Sequence, residues 1–227
     1  MVTVTDPATT NIQIPIGGGL LLQADLTIPP SARGVVFFAH GSGSSRLSPR
    51  NRYVASGLNS LNIGTVLADL LTAEEEQLDA RDGTLRFNIP LLTNRLVNMI
   101  DWARGGNAIP ALPIGLFGAS TGAAAALDAA AARSEVVVAV VSRGGRPDLA
   151  ARLGGVRAPV LLIVGGNDFE VIQMNRWAFR HLDCEKELKI IPGATHLFEE
   201  TGTLEAAAAA AGAWFQQYLI PAAGSSR

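Results

Sequence analysis

Cysteine, histidine and charged residues are all scarce in this 227-residue sequence. Cys184 is the only cysteine, which excludes an intramolecular disulfide and a cysteine-rich zinc site. Charged residues make up 17% of the chain, and Lys+Arg 18 against Asp+Glu 20 leaves a formal net charge of −2. Because there is no basic block to attract phosphates, a nucleic acid partner is not expected.

Long apolar runs are also missing. The most apolar stretch, residues 111–126, is interrupted by proline, glycine and Ser120, so it is interpreted as strand, turn and helix rather than as a membrane span. The N-terminal segment has no basic start followed by an apolar run, which argues against a secretory signal. The sequence therefore predicts a cytoplasmic protein with no membrane contact.

Hydrophobic residues make up 48% of the sequence, which is typical of a globular chain. Its length suits a single domain with a sizeable core, predicted over residues 1–220. The terminal segment, residues 221–227, is expected to be a flexible tail. A homodimer is left open.

Strand and helix patterns alternate along most of the chain. After an antiparallel hairpin around Gly17-Gly18-Gly19, buried apolar runs indicate strands at residues 34–40, 65–68, 114–117, 136–141, 160–164 and 187–191. Apolar residues at helical spacing follow most of these strands. This alternation predicts an α/β fold, with a doubly wound and mostly parallel sheet of about eight strands. Residues 70–88 show no clear period and are predicted to be a loop with at most one short helix.

Gly118-Ala119-Ser120-Thr121-Gly122 matches G-x-S-x-G, the nucleophile elbow. In that motif a serine sits on a sharp strand-to-helix turn, and the flanking glycines let the strand and the helix approach closely. The apolar strand before it and the alanine-rich helix after it favour this interpretation over an ordinary glycine-rich turn. Ser120 is therefore the candidate nucleophile.

Two further candidates follow later strands. Asp168 comes just after the strand at residues 160–164, and His196 comes after the last strand. Since parallel strands end at one edge of a sheet, Ser120, Asp168 and His196 are expected to meet there in the order serine, acid, base. The alternative interpretation of Asp168 is a turn residue, and Asp148 is the fallback acid. The other histidines are interpreted as a helix-surface residue, His181, and a buried loop anchor, His40.

Backbone N–H groups should hold the oxyanion of an acyl-transfer intermediate. The N–H of Thr121, directly after the nucleophile, and the N–H of Ser42, in the loop after the strand at residues 34–40, are the candidates. Arg46 and Arg143 lie in loops that should reach the same edge. They are either solvated surface arginines or ligands of an acidic substrate group.

The GASTG elbow, the GGND acid loop, the GATH histidine loop and the HGSGSS loop together resemble the α/β-hydrolase superfamily, and within it the dienelactone-hydrolase-like branch. The resemblance covers nearly the whole chain and implies an α/β-hydrolase fold without a cap domain. One departure is evident: dienelactone hydrolases proper use a cysteine nucleophile, whereas this chain has Ser120. Cys184 follows a helix rather than occupying an elbow, so a general carboxylesterase is expected.

The expected activity is hydrolysis of small carboxylic esters or lactones through a Ser-His-Asp triad and an acyl-enzyme. No metal or organic cofactor is implied. Two alternatives stay open: an acyltransferase on the same triad, and a catalytically silent hydrolase fold that serves as a binding module.

Overall fold

The computed structural model describes residues 7–106 and 109–220, and the predicted tail at residues 221–227 lies outside this part. All of its strands join one eight-stranded sheet, in the order β1-β2-β4-β3-β5-β6-β7-β8. The strands are β1 (Thr9–Pro15), β2 (Leu21–Thr27), β3 (Val35–Ala39), β4 (Gly64–Ala68), β5 (Ile114–Ala119), β6 (Val137–Arg143), β7 (Val160–Gly165) and β8 (Lys186–Ile191).

The sheet is mixed in the way that the sequence predicts. The hairpin of β1 and β2 is antiparallel and joins β4 through an antiparallel pairing, whereas every pairing from β4 to β8 is parallel. The central strands β3, β4, β5 and β7 are buried at every residue, as strands covered on both faces should be. The doubly wound α/β prediction is therefore confirmed.

The described residues form six α-helices: α1 (Pro49–Ser60), α2 (Ala73–Asp82), α3 (Ile89–Arg104), α4 (Thr121–Ala132), α5 (Phe169–His181) and α6 (Thr203–Tyr218). The buried apolar residues of α3, α4 and α5 pack on one face, and those of α1 and α6 pack on the other. The parallel strands consequently end at one edge, where the loops after β3, β5, β6, β7 and β8 meet.

The segment at residues 70–88 holds more structure than the sequence suggests. It contains the ten-residue helix α2 and a 3-10 turn at Leu85–Phe87. A capping box begins the helix: the Thr72 hydroxyl accepts from the Glu75 N–H, and the Glu75 carboxylate accepts from the Thr72 N–H. This T-x-x-E pattern is visible in the sequence, but α2 lacks the apolar stripe by which helices are usually recognised, since only Asp79 is buried.

The connection between β6 and β7 forms two short 3-10 turns, Pro147–Leu149 and Leu153–Gly155, and no inserted domain. The carboxyl edge of the sheet is therefore open above β5. Within the described ranges, no helix is both long enough and apolar enough to cross a membrane.

Candidate active site

Ser120 occupies the sharp turn between β5 and α4. Its backbone adopts φ 51° and ψ −125°, a conformation that residues with a side chain rarely adopt and that costs about 1–3 kcal/mol. Hydrogen bonds on both sides hold the turn: the Ser120 N–H donates to the Arg143 carbonyl at 3.4 Å, and the Ser120 carbonyl accepts from the Arg146 N–H at 3.0 Å. The elbow is thus braced by the end of β6 and by the loop that follows it.

The two motif glycines are required by close approach of backbone to backbone. A Cβ on Gly118 would lie 2.4 Å from Ala123 Cα, and one on Gly122 would lie 2.3 Å from the Ala39 carbonyl oxygen. Neither distance is tolerable, so no other residue fits without moving the backbone. Gly122 packs the start of α4 against the end of β3, which brings the loop after β3 beside Ser120.

Asp168 and His196 form a hydrogen-bonded pair. Asp168 directly precedes α5, His196 lies in the loop between β8 and α6, and His196 Nδ1 is 2.7 Å from Asp168 Oδ2. An ionised carboxylate only accepts, so Nδ1 carries the hydrogen and Nε2 of the neutral ring is left as an acceptor. The Asp168 side chain is 14% exposed and that of His196 is 41% exposed, so the acid is sheltered and the ring faces the open edge.

Three backbone-directed hydrogen bonds tie the acid loop to the histidine loop. The Gly166 N–H donates to the Ile191 carbonyl at 2.8 Å, and the Asn167 N–H donates to the Ala194 carbonyl at 2.9 Å. The Asn167 side-chain amide donates to the Gly193 carbonyl at 3.0 Å. The position of Asp168 relative to His196 is therefore set by the backbone as well as by their own contact.

Glu200 supports the histidine loop from the other side, and sequence reasoning missed it. Its carboxylate accepts from the Thr195 hydroxyl at 2.6 Å and from the Thr195 N–H at 3.1 Å. These hydrogen bonds lower the pKa of Glu200. A glutamate shortly after a catalytic-type histidine was the only sequence signal, and many surface glutamates share it.

Ser120 and His196 flank the same segment, residues 143–146. A Cβ on Gly144 would lie 3.7 Å from His196 Cε1, while Arg143 and Arg146 bond the backbone of Ser120. Within the part of the chain that the structure describes, no hydrogen bond joins the Ser120 hydroxyl to the His196 ring. Such bonds are often long in hydrolases without substrate and shorten when substrate binds.

Asp148, the fallback acid, and Cys184, the alternative nucleophile, both lie outside the Asp168–His196 pair. Asp148 forms a bidentate pair with Arg146, with Nε to Oδ1 at 2.9 Å and Nη2 to Oδ2 at 2.8 Å. Cys184 lies between α5 and β8, at the end of the sheet opposite the carboxyl edge, and burial raises the pKa of its thiol. Neither residue lies in the Asp168–His196 pair.

His40 is a buried loop anchor, as the sequence predicts. Its Nε2 accepts from the Leu70 N–H at 3.1 Å, so the hydrogen of the neutral ring is on Nδ1, which donates to the Gly41 carbonyl at 3.0 Å. Burial lowers the pKa of His40. His181 is exposed, stacks on Trp177 and bonds its carbonyl at 2.8 Å, which fits the predicted surface position.

The two candidate oxyanion donors lie next to each other. As the first residue of α4, Thr121 has a backbone N–H without an acceptor inside the helix. The Ser42 N–H donates to the Thr121 hydroxyl at 2.9 Å. The Ser42 N–H is therefore beside the elbow, but it already has an acceptor, and an oxyanion would have to share or replace that acceptor.

The two candidate substrate-binding arginines differ in their partners. Arg46 donates to Asp69 at 2.6 Å through Nη1 and to Asp25 at 3.4 Å through Nε. The side chain of Arg143 is buried, donates to Asn51 Oδ1 at 3.3 Å as its single hydrogen bond among the described residues, and lies against the rings of Phe117 and Phe198. Its Nη1 has no partner among the described residues. Burial, together with the charge of Arg50, lowers the pKa of Arg143 to about 10, so it stays protonated at neutral pH.

Within the described ranges, no group of three or more histidine, cysteine, aspartate or glutamate side chains is arranged to hold a metal ion. A cavity of about 300 Å³ adjoins the loop after β3 and extends towards α2. Sequence reasoning missed this cavity, because the helix that forms one of its walls was expected to be a loop.

The mixed eight-stranded sheet, its antiparallel hairpin and its six helices are the architecture of the α/β-hydrolase fold. The chain belongs to the dienelactone hydrolase family, whose model matches residues 67–219. Membership of this family and the shared fold support a hydrolase.

Individual relatives agree with this assignment. A dienelactone hydrolase from Anabaena variabilis is 53% identical, with a TM-score of 0.92, and the match covers 95% of this chain and 100% of that one. Est1E of Butyrivibrio proteoclasticus shares the fold at 18% identity and a TM-score of 0.74, over 91% of this chain and 98% of its own.

Two Mycobacterium tuberculosis proteins, from strains CDC 1551 and H37Rv, are 51% identical over 205 residues. Both are provisionally named phosphoribosyl transferases. The match covers 90% of this chain but only 45% of theirs, so the chain spans about half the length of these relatives.

Proposed function

We propose that this protein hydrolyses small carboxylic esters or lactones through an acyl-enzyme on Ser120. His196 Nε2 takes the hydroxyl proton as Ser120 Oγ attacks the ester carbonyl, and the same proton goes to the leaving alcohol as the carbon–oxygen bond breaks. His196 then takes a proton from water as the water attacks the acyl carbon, and it returns that proton to Ser120 Oγ as the bond between Oγ and the acyl carbon breaks and the acid leaves. Asp168 holds the ring in the required tautomer and stabilises the imidazolium.

One observation carries the proposal: the Asp168–His196 pair, with 2.7 Å between Nδ1 and Oδ2, borders the same segment that braces the strained Ser120 turn. A structural ion pair would need neither the unusual backbone of Ser120 nor an exposed ring nitrogen. The combination favours nucleophilic catalysis over a catalytically silent binding module.

The nucleophile is tested with Ser120→Ala. We expect at least about a 10³-fold loss of kcat on p-nitrophenyl acetate, on the scale of triad removal. A fluorophosphonate probe should label the wild type and leave the variant unlabelled. Near-normal turnover in a contaminant-free sample of Ser120→Ala would refute the proposed nucleophile.

The acid is tested by a matched pair of substitutions. Asp168→Asn leaves the ring in the wrong tautomer, so kcat should fall by up to about 10⁴-fold while the fold remains. Asp148→Asn is the control, because this carboxylate pairs with Arg146 and not with the histidine. If Asp148→Asn were crippling and Asp168→Asn mild, the assignment of the acid would be wrong.

The oxyanion hole is proposed to use the backbone N–H groups of Thr121 and Ser42. The contact between the Ser42 N–H and the Thr121 hydroxyl supports their proximity. Of the two arginines, Arg46 has two carboxylate partners, so we propose that Arg143 is the one that acts in the reaction. Because it is buried, it acts through its charge on the negative transition state rather than by gripping a substrate group.

Acyl transfer on the same triad remains the second candidate, because the open edge leaves room for an acceptor other than water. Adding methanol to the assay separates the two candidates. A hydrolase releases mainly the free acid, whereas an acyltransferase forms mainly the methyl ester at low methanol concentration.

The name of the mycobacterial relatives suggests transfer of a phosphoribosyl group. We propose that this name describes the half of those proteins that this chain does not match, since the matched half has the α/β-hydrolase fold. The expected result is no phosphoribosyl transfer by this chain, measured by pyrophosphate release. Transfer that is lost in Ser120→Ala would contradict the proposal.

A further inference from the structure

The cavity beside the loop after β3 opens next to the candidate nucleophile. Its lining includes Gly41, and a Cβ on Gly41 would lie 2.9 Å from Ser120 Cβ. One part of its wall is apolar, formed by Leu70, Leu71 and Leu92. A substrate carbonyl at Ser120 would thus have an apolar-walled space of about 300 Å³ beside it.

The charged groups at the other end of the cavity are almost all paired. Asp79, which lines the cavity, contacts Arg86 at 2.5 Å. Asp69, which is close to Glu76, contacts Arg46 at 2.6 Å. Asp79 also accepts from the backbone N–H groups of Leu85 and Arg86, at 2.7 and 2.9 Å. Each aspartate charge is therefore neutralised by a neighbour.

Glu76 is the carboxylate lining the cavity that has no arginine partner among the described residues. It lines the cavity from α2, and its side chain makes no ion pair or hydrogen bond within the described residues. Partial burial and the nearby Asp69 and Asp79 raise the pKa of Glu76, and the charge of Arg46 opposes them. A cationic group in the cavity would relieve that repulsion.

We propose that this cavity binds the acyl part of the substrate and that Glu76 selects acyl groups with a positive charge at their far end. The inference rests on the proposed esterase activity, because it places the scissile carbonyl at Ser120. The acyl chain then passes Gly41, lies along the three leucines and ends near Glu76. The leaving group departs on the opposite side, where His196 delivers the proton.

Arg86 defines the competing outcome. It uses Nε and Nη2 on Asp79, whereas its Nη1 makes no hydrogen bond among the described residues and faces Gly43. An acyl group with a negative end would bind to this nitrogen instead. The contacts favour the cation, because Arg86 contacts the Asp79 carboxylate, whereas no basic side chain of the described residues is within ion-pair distance of Glu76.

Three p-nitrophenyl esters of nearly equal size test the proposal: the trimethylammonio-butanoyl ester, its neutral tert-butyl isostere and its sulfo analogue. The wild type should show a kcat/KM for the cationic ester about threefold to fivefold above that for the neutral isostere, the range of an exposed ion pair. The ratio should fall as salt is added. Glu76→Gln should abolish the ratio, while Glu74→Gln, a matched change on the same helix at an exposed residue that does not line this cavity, should keep it.

A preference for the sulfo ester, or no preference at all, would overturn the proposal. A ratio lost equally in Glu74→Gln and Glu76→Gln would also count against it, since a general surface field would then be the cause. The uncleaved anilide analogues, titrated calorimetrically into Ser120→Ala, measure the charge preference without chemistry. Preferential binding of the cationic anilide without Ser120-dependent hydrolysis would refute the esterase activity and leave the cavity assignment intact.

Discussion

Residue by residue, the clearest departure from ordinary backbone geometry is Ser120. With φ 51° and ψ −125° it forces a side chain into a region that suits glycine. The surrounding packing and the two backbone hydrogen bonds to the end of β6 and the loop that follows it maintain this conformation. The strained backbone of Ser120 therefore lowers the stability of the protein at the residue whose hydroxyl projects from the turn.

Replacing Ser120 by glycine and by alanine should reveal this strain. Both variants lose the hydroxyl, but Ser120→Gly should have a free energy of unfolding about 1 kcal/mol higher than Ser120→Ala, because glycine adopts positive φ without a Cβ penalty. Urea unfolding of both variants measures the difference. The control is exposed Ser56 within α1, where the order should reverse and alanine should exceed glycine by about 1 kcal/mol. If the alanine variant had the higher free energy of unfolding at position 120 as well as at position 56, Ser120 would not be strained.

Arg143 is the other unusual residue, because a buried guanidinium normally has a carboxylate partner. This one has only the Asn51 oxygen and two aromatic rings among the described residues. Its neighbour in the sheet is Ala119 on β5, the residue before Ser120. Because of this pairing, we propose that its positive charge acts on the oxyanion that would form at Ser120.

Arg143→Met should lower kcat on a neutral ester about tenfold, the loss of roughly 1.4 kcal/mol of charge stabilisation. KM should change little, and Arg143→Lys should recover part of the rate because it retains the charge. Steady-state kinetics on p-nitrophenyl acetate measure both parameters. If Arg143→Lys were as slow as Arg143→Met and both raised KM, Arg143 would serve only to pack the loop.

At the scale of elements, His40 connects the loop after β3 to the end of β4. The neutral ring bonds Gly41 on one side and Leu70 on the other. Protonation would put a second hydrogen on Nε2, facing the Leu70 N–H, and would break that connection. The loop that carries Ser42 therefore depends on a neutral histidine.

The lowered pKa of His40 predicts a loss of stability in acid. Below about pH 6.5 the unfolded chain binds a proton at this residue while the folded protein does not, so unfolding becomes more favourable as the pH falls. The slope from one such group is at most about 1.4 kcal/mol per pH unit. Urea unfolding between pH 5 and 8 should show a shallower slope for His40→Gln than for the wild type.

His181→Gln is the control for that experiment, because His181 is exposed and bonded only to the carbonyl of its own helix. It should keep the wild-type slope. An unchanged slope in His40→Gln would mean that another group causes the loss of stability in acid.

Considered as a whole, the molecule has an open site with a small cavity. The β6–β7 connection adds only two 3-10 turns, so no lid-sized apolar surface lies above Ser120. Long acyl chains gain about 0.8 kcal/mol per methylene only where an apolar wall covers them. The cavity of about 300 Å³ that borders Gly41 supplies such a wall through Leu70, Leu71 and Leu92.

The chain-length preference of the enzyme should follow this shape. Across a series of p-nitrophenyl esters, kcat/KM should be highest for short acyl chains and low for palmitate, with no rise above the critical micelle concentration. Ser44→Phe, which narrows the cavity from the loop after β3, should move the optimum further towards acetate. A steady rise from acetate to palmitate would contradict the proposed site.

Much of this architecture could be predicted from the sequence, because it depends on patterns of neighbouring residues. The buried runs and helical stripes that define the sheet are periodic, and G-x-S-x-G, the acid loop and the histidine loop each directly follow a strand. Parallel strands must end together, so residues far apart in sequence could be expected at one edge. The sequence did not define the extent of helix α2, because its only buried residue is Asp79 and an exposed helix shows no apolar period.

The pairing of individual charged and polar groups was decided by tertiary packing. Nothing in the sequence distinguishes Asp148, which binds Arg146, from Asp168, which binds His196, except the loop in which each lies. The sequence likewise does not indicate that Arg46 pairs with two aspartates. Nor does it indicate that Glu76 has no ion-pair partner among the described residues. Such contacts depend on distances of a few ångströms between elements that are remote along the chain, and no local pattern of residues encodes those distances.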